Sequence, residues 1–215
     1  SEYAHPEIKP GGQLEDLTHP FDPDEAATIL DQNDFPIGVG GWRYWDRDRD
    51  GVEDPGEDFT LIFYVRKDDS EKLAIADVLY CILESPPIQI HVDYRPYDRL
   101  VCDRAVVGDK NFHLYLTDRN LRKDPDYLYD MKNINNYWHP GYCPNYAAIN
   151  CSEYNDWSYR LKHAHDKTEA IAAALRCQEI FANESCIGAV PIYNTYVIKA
   201  LRRTYTGTPS VTDPE

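Results

Sequence analysis

Apolar residues along the chain fall into short runs of two periods. Phe59 to Val65 (Phe-Thr-Leu-Ile-Phe-Tyr-Val) is β-branched and aromatic with almost no polar break, the pattern of a strand buried on both faces. From Ser70 to Glu84 the apolar residues Leu73, Ala76, Tyr80 and Leu83 recur at helical spacing, and Pro86-Pro87 stops the helix. Ile88 to Tyr94 then alternates as a strand does, and Asn111 to Leu116 makes another. Strand, crossover-length helix and strand in that order predict a parallel β-α-β unit, and hence an α/β fold with helices packed on a sheet.

The flanks extend this frame. Asp22 as N-cap, Pro23 at the first helical position and Glu25 at the third open a short helix to about Asn33, with Ala26, Ile29 and Leu30 as its apolar stripe and Phe35-Pro36 as its stop. Asp166 and Glu169 box a longer helix, about Lys167 to Asn183, with an inner face predicted at Ile171, Ala174, Leu175, Gln178 and Phe181. Residues 189–193 and 196–198 read as extended segments. Between these, Met131 to Tyr159 has neither period and is rich in Asn, Tyr, Trp, Pro and Gly, which predicts a long loop region displaying aromatic side chains. Residues 1–20 read as an irregular arm, 21–205 as one folded unit and 206–215 as a tail or linker. No internal repeat is present.

Composition narrows the possible partners. The 215 residues, 42% of them hydrophobic, suffice for a real core. A formal charge of −15, from 37 acids against 22 bases, opposes nucleic acid phosphates and anionic lipid surfaces. The longest apolar run, Leu73 to Leu83, is broken by Asp77 and falls short of the roughly 18 residues a membrane span needs. Ser1 is not an initiator methionine and no signal-peptide pattern follows it, so the chain reads as processed or excised.

The six cysteines, 81, 102, 143, 151, 177 and 186, form no C-x-x-C pair, which argues against structural zinc. Their spacing suggests two local disulfides, Cys143 with Cys151 and Cys177 with Cys186, and leaves Cys81 and Cys102 available to each other. Asn150-Cys151-Ser152 and Asn183-Glu184-Ser185 are N-glycosylation sequons. Cysteines and sequons together favour an oxidising, extracellular or periplasmic location.

The sharpest chemical signal runs from Asp46 to Glu57: Asp-Arg-Asp-Arg-Asp-Gly-Val-Glu-Asp-Pro-Gly-Glu. Aligned to a twelve-residue calcium loop, it places side-chain oxygens from Asp46, Asp48, Asp50, Asp54 and Glu57 at the ligand positions. Gly51 falls at the turn and the Val52 carbonyl at the seventh position. Calcium needs six to eight hard oxygens, and carboxylates this close repel one another without a cation. The competing reading is a solvated acidic turn neutralised by Arg47 and Arg49. Because a strand, not a helix, follows at Phe59, the expected role is a fixed structural Ca2+ site and not a helix-opening switch.

The histidines at 5, 19, 91, 113, 139, 163 and 165 are scattered, and no G-x-S-x-G, H-E-x-x-H, Walker or G-x-G-x-x-G pattern occurs. No constellation supports catalysis.

The order of segments resembles the C-terminal half of the peptide- and nickel-type (family 5) extracellular solute-binding proteins of ABC transporters. Phe21 to Leu30 with Asp34-Phe35-Pro36 looks like the family's "DPEKAKELLEEAGYP" helix, and Asp46 to Asp54 like its "DxDGDGxxD" turn before a strand. Ile88 to Asp93 and Phe112 to Asp118 resemble two of its strands. Asp124-Pro125-Asp126-Tyr127-Leu128 is similar to "DPDxxL", followed by Asn145-Tyr146 and Glu153-Tyr154-Asn155, and Ala189 to Val197 is similar to its closing "APYIPLYYPxYV" stretch. The likeness spans residues 21 to 203. It implies a type II periplasmic-binding-protein C-terminal lobe with a mixed sheet, facing an N-terminal lobe absent from this sequence, tethered outside the cell through other segments and served by a membrane permease. It also implies a peptide or small solute in the cleft between lobes, met by Asp118 at the peptide amino terminus and by Tyr137, Trp138 and Tyr142 as stacking aromatics. Two functional readings stand at this point: one lobe of a transport receptor, or a calcium-stabilised structural or adhesive surface domain on the same fold without ligand transport.

Overall fold

The computed structural model describes residues 20–117, 128–129, 145–147, 150–182, 190 and 192. Its centre is strand β1 (Thr60–Arg66), flanked by β2 (His91–Tyr97) and β3 (Leu114–Leu116) in the order β2-β1-β3. Both neighbours run parallel to β1, with Thr60 opposite His91 and Phe63 opposite Leu114. The predicted crossover between β1 and β2 is helix α2 (Ser70–Glu84), started by the Asp69 carboxylate accepting the Lys72 N–H at 3.1 Å.

Strand alternation sends β1 into two cores. Leu61, Phe63 and Val65 pack with Ala76, Leu73, Tyr80 and Leu83 of α2, together with Val92 and Leu116. Ile62 and Tyr64 pack on the opposite face against Cys102, Ala105 and Val106. These come from helix α3 (Arg99–Asp103) and the π-helical turn Arg104–Gly108 that continues it. A strand covered on both sides can be apolar at every position, which is why its sequence shows no polar break.

A third core joins α4 (Ser152–Lys162) to α5 (Lys167–Ala182) through Tyr154, Leu161, Ala173, Ala174, Cys177 and Ile180, with Leu128. The Tyr154 hydroxyl donates to the Leu128 carbonyl at 2.8 Å, so its one buried polar atom is satisfied. Asp166 accepts the Glu169 N–H at 2.9 Å, the half of the cap expected from their spacing, while Glu169 reaches one residue further and accepts the His165 N–H at 2.9 Å.

Four expectations need correction. First, β2 begins at His91 and not Ile88, because Ile88 and Gln89 donate back to the Ser85 carbonyl in a turn; β3 likewise begins at Leu114. Second, α4 begins inside the segment read as loop and runs three residues past it. Its buried positions are Tyr154, Ser158 and Leu161, and one serine among three removes the apolar period. Third, of the face predicted for α5, Ala174 is buried and Phe181 packs on the same core, but Ala173, Cys177 and Ile180 complete it while Ile171 is 43% exposed, since close approach to α4 favours small residues. Fourth, α3 and its π-helical continuation carry too short an apolar pattern to be seen in advance. The segments 189–193 and 196–198 lie outside the described residues apart from Val190 and Ile192.

The cysteine pairing is also corrected. Cys81, Cys102 and Cys177 are free thiols, so neither Cys177–Cys186 nor Cys81–Cys102 forms. Cys81 is on the exposed side of α2, whereas Cys102 is buried beyond the sheet, its thiol donating to the Val65 carbonyl at 3.5 Å. Cys177 is fully buried between α4 and α5. Cys151 is disulfide-bonded, and Cys143 and Cys186 lie outside the described residues. Burial pushes the Cys102 thiol up and the Cys177 thiol up to about 12, so neither ionises at neutral pH. Brief iodoacetamide treatment of the native protein is therefore expected to label Cys81 alone among these three, with Cys102 and Cys177 reacting only after denaturation. Native labelling of Cys177 at the rate of Cys81 contradicts the α4–α5 packing. A thiol whose folded pKa is raised contributes stability below its ordinary value of 9.0, and that contribution is lost as pH rises toward 12.

Among the described residues, no helix is long and apolar enough to cross a membrane.

Candidate metal centre

The acidic loop hangs between α1 (Pro23–Gln32) and β1 on a short stem. Asp22 caps α1 by accepting the N–H groups of Asp24 and Glu25 at 3.1 and 3.0 Å. Beyond α1, Asp34 turns the chain with φ of +67°, a left-handed conformation in which aspartate is among the tolerated residues. The antiparallel bridge Tyr44–Asp58 brings the two ends of the loop together, and the Trp45 N–H donates to the Glu57 carbonyl at 2.9 Å. Phe35 packs on Phe59 and stacks against Trp45, with ring centroids 4.8 and 6.2 Å away, which gives the stem an apolar floor.

On this frame the first three aspartates converge. Asp46, Asp48 and Asp50 each offer a carboxylate oxygen, and the three atoms lie within 4.8 Å of one another. Short local bonds fix them: Asp48 accepts the Asp50 N–H at 3.3 Å, and Asp50 accepts the Val52 N–H at 2.8 Å. Asp46 accepts the Gly51 N–H at 3.0 Å, and Gly51 sits at φ of +77°, where a side chain is strained. Asp46 is buried, at 7% exposure, and its Oδ1 is buried without any hydrogen-bond partner. An orphaned carboxylate oxygen is costly unless something else meets it.

Electrostatics agree. Tyr44 is pushed above its ordinary value first by burial and then by the charges of Asp46, Glu57, Asp50 and Glu53. At Asp48 the largest single influence, the hydrogen bond from Asp50, favours the charged form. Burial and the carboxylates of Asp50, Glu57 and Asp46 nevertheless carry the net shift upward. The two arginines within the loop are engaged elsewhere: Arg49 pairs with Asp34 at 2.7 Å, and the Arg47 guanidinium lies 4.8 Å from the centre of the Trp45 ring.

The remaining predicted ligands sit differently. Glu57 is buried at 6% exposure, and its two oxygens accept the Arg47 and Asp54 N–H groups at 2.9 and 3.1 Å. Neither Asp54 nor Glu57 joins the cluster of three. Val52 is an exposed side chain on the loop. Sequence reading missed Asp34, which accepts Arg49 through its side chain and the Asp46 N–H through its carbonyl at 3.0 Å. It also missed Tyr44; an aromatic beside a run of acids was the available signal. Hard oxygen donors of this kind suit Ca2+ over thiophilic metals.

Asp118, Tyr137, Trp138 and Tyr142 lie outside the described residues, as does Asn183. Asn150 is exposed just before α4, its side-chain oxygen accepting from Asn155 at 3.0 Å.

No family model and no curated protein sequence matches the chain. Solved structures do match. The periplasmic oligopeptide-binding protein of an oligopeptide ABC transporter from Thermotoga maritima, bound to mannohexaose, superposes with a TM-score of 0.67 at 15% identity, over 82% of this chain and 32% of that one. NikA from Brucella suis, in complex with Fe(III)-EDTA, gives 0.60 at 16%, over 77% and 31%. The oligopeptide-binding protein AppA from Bacillus subtilis, in complex with a nonapeptide, gives 0.58 at 16%, over 75% and 30%. The chain therefore has the fold of a lobe of type II periplasmic binding proteins of the peptide and nickel kind, and spans about a third of the length of the proteins it matches.

Proposed function

We propose that this chain is the C-terminal lobe of a two-lobed solute-binding protein that works outside the cytoplasm, delivers peptides or similar solutes to an ABC-transporter permease, and holds a structural calcium ion in residues 46–57. One observation carries the transport reading. The fold matches binding proteins over 75–82% of this chain while covering only 30–32% of theirs, as one lobe of such a receptor does. Asp118, Tyr137, Trp138 and Tyr142 are the proposed contributors to the cleft, and the lobe performs no chemistry of its own. A cleft closed from two sides buries most of a ligand and a single wall does not, so the isolated chain holds half a site.

Calorimetry with a panel of short peptides tests this. The isolated chain is expected to bind weakly, and the same chain joined to its N-terminal lobe at least about tenfold more tightly, which is 1.4 kcal/mol. Tight binding by the isolated chain contradicts the half-site. A two-lobed protein that binds no peptide in the panel favours the structural or adhesive domain.

A further inference from the structure

The calcium reading treats residues 46–57 as one twelve-residue loop, and the geometry divides that loop into two parts. We propose, resting on that reading, that the cation sits on Asp46, Asp48 and Asp50 with the rest of its shell open to water. Glu57 is then a clasp that shapes the loop and not a ligand.

The anchor is Asp46. Asp46 is only 7% exposed, one of its carboxylate oxygens belongs to the three-oxygen cluster, and its Oδ1 is buried without a hydrogen-bond partner. Calcium–oxygen distances of about 2.3–2.6 Å place two ligands on one ion no more than about 4.6–5.2 Å apart. The observed ceiling of 4.8 Å falls inside that range without moving the loop. Asp48 and Asp50 are exposed, so the ion reaches the cluster from solvent and keeps water on that side.

Glu57 has a different task. Each of its oxygens already accepts a backbone N–H, one from Arg47 and one from Asp54, so a single buried carboxylate ties the beginning of the loop to its end. Charge-assisted bonds to two N–H groups are a strong closure. Through Asp46, whose N–H donates to the Asp34 carbonyl, the bound cation fixes the connection between α1 and β1.

Terbium, a calcium-sized probe, should luminesce when Trp45 and Tyr44 are excited, since they immediately precede Asp46 in the chain. Asp46→Asn, Asp48→Asn and Asp50→Asn are each expected to weaken terbium binding, and calcium competition for it, by on the order of 100-fold. Glu57→Gln is expected to weaken it by less than about fivefold while lowering the melting temperature of the metal-free protein, as a clasp does and a ligand does not. Loss of affinity in folded Glu57→Gln equal to that in Asp46→Asn overturns the three-aspartate site and leaves the calcium reading intact. Wild-type affinity in Asp48→Asn or Asp50→Asn also overturns it, and both are exposed positions where folding is not at stake. Absence of terbium and calcium binding by the wild type overturns both.

Discussion

Arg43→Ala is expected to lower the stability of the protein by about 3–5 kcal/mol, read as a large drop in the urea midpoint. Arg43 is 2% exposed, and its guanidinium meets five acceptors. Nε donates to the Ile88 carbonyl at 2.7 Å, Nη1 to the Asp31 carboxylate at 2.6 Å and to the Phe35 carbonyl, and Nη2 to the Ala27 and Pro87 carbonyls at 3.3 Å each. One side chain thus joins α1, the turn after it and the α2–β2 connection. Truncation takes the guanidinium donors from the Ile88, Phe35 and Pro87 carbonyls in a buried to part-buried site, and each such group costs about 1–3 kcal/mol before relaxation, whereas the Ala27 carbonyl keeps its bond within α1. The ion pair itself is the minor part. The Asp31 side chain is 58% exposed, so Asp31→Ala should cost less than about 1 kcal/mol. Arg43→Lys should recover only a fraction, because an ammonium has no planar fork to reach carbonyls from three directions. Equal losses from Arg43→Ala and Asp31→Ala contradict this account.

Arg43 shows what the sequence made legible and what it did not. Its neighbourhood reads as a Gly- and Trp-rich turn, and nothing local marks an arginine as buried, because four of its partners are backbone carbonyls and carbonyls leave no trace in residue identity. Elements whose buried face is made of large apolar residues were legible: α2 runs from Ser70 to Glu84 as its Leu73–Ala76–Tyr80–Leu83 spacing predicts, and β1 lies within one residue of expectation. Where burial falls on Ser158, Ala173 or Cys177, the hydrophobic pattern fades; α4 is not foreseen, and the inner face of α5 is met only at Ala174 and Phe181. The candidate metal centre divides along the same line. Three aspartates and a glycine at the spacing of a calcium loop are visible in the sequence. Which carboxylate is buried, and which one is spent on backbone N–H groups, depends on a stem closed by Tyr44 and Asp58 that no motif encodes.

Calcium is expected to raise the melting temperature of the wild-type protein by about 5–10 °C between excess chelator and ~10 mM Ca2+. Extracellular modules of this ligand class bind with dissociation constants of about 10⁻⁴–10⁻³ M, and the tighter end puts 10 mM at 100 times the dissociation constant. A ligand at that excess stabilises the folded state by about 2.7 kcal/mol, and a domain of this size gains about 2–4 °C per kcal/mol. Two effects act in the same direction: the cation meets the Asp46 carboxylate, whose Oδ1 is buried without a partner, and it cancels the mutual repulsion of the clustered Asp46, Asp48 and Asp50 carboxylates. Sodium chloride at matched ionic strength screens exposed charges but supplies no ligand for a buried oxygen, so it should give only a small part of the shift. Magnesium should give less than calcium, because it demands shorter bonds and a near-ideal octahedron and surrenders water reluctantly. Asp50→Ala removes one of the three oxygens at an exposed position and should abolish most of the calcium response while leaving the metal-free melting temperature nearly unchanged. An unchanged midpoint on adding calcium, or an Asp50→Ala protein that responds as the wild type does, reduces residues 46–57 to a solvated acidic turn.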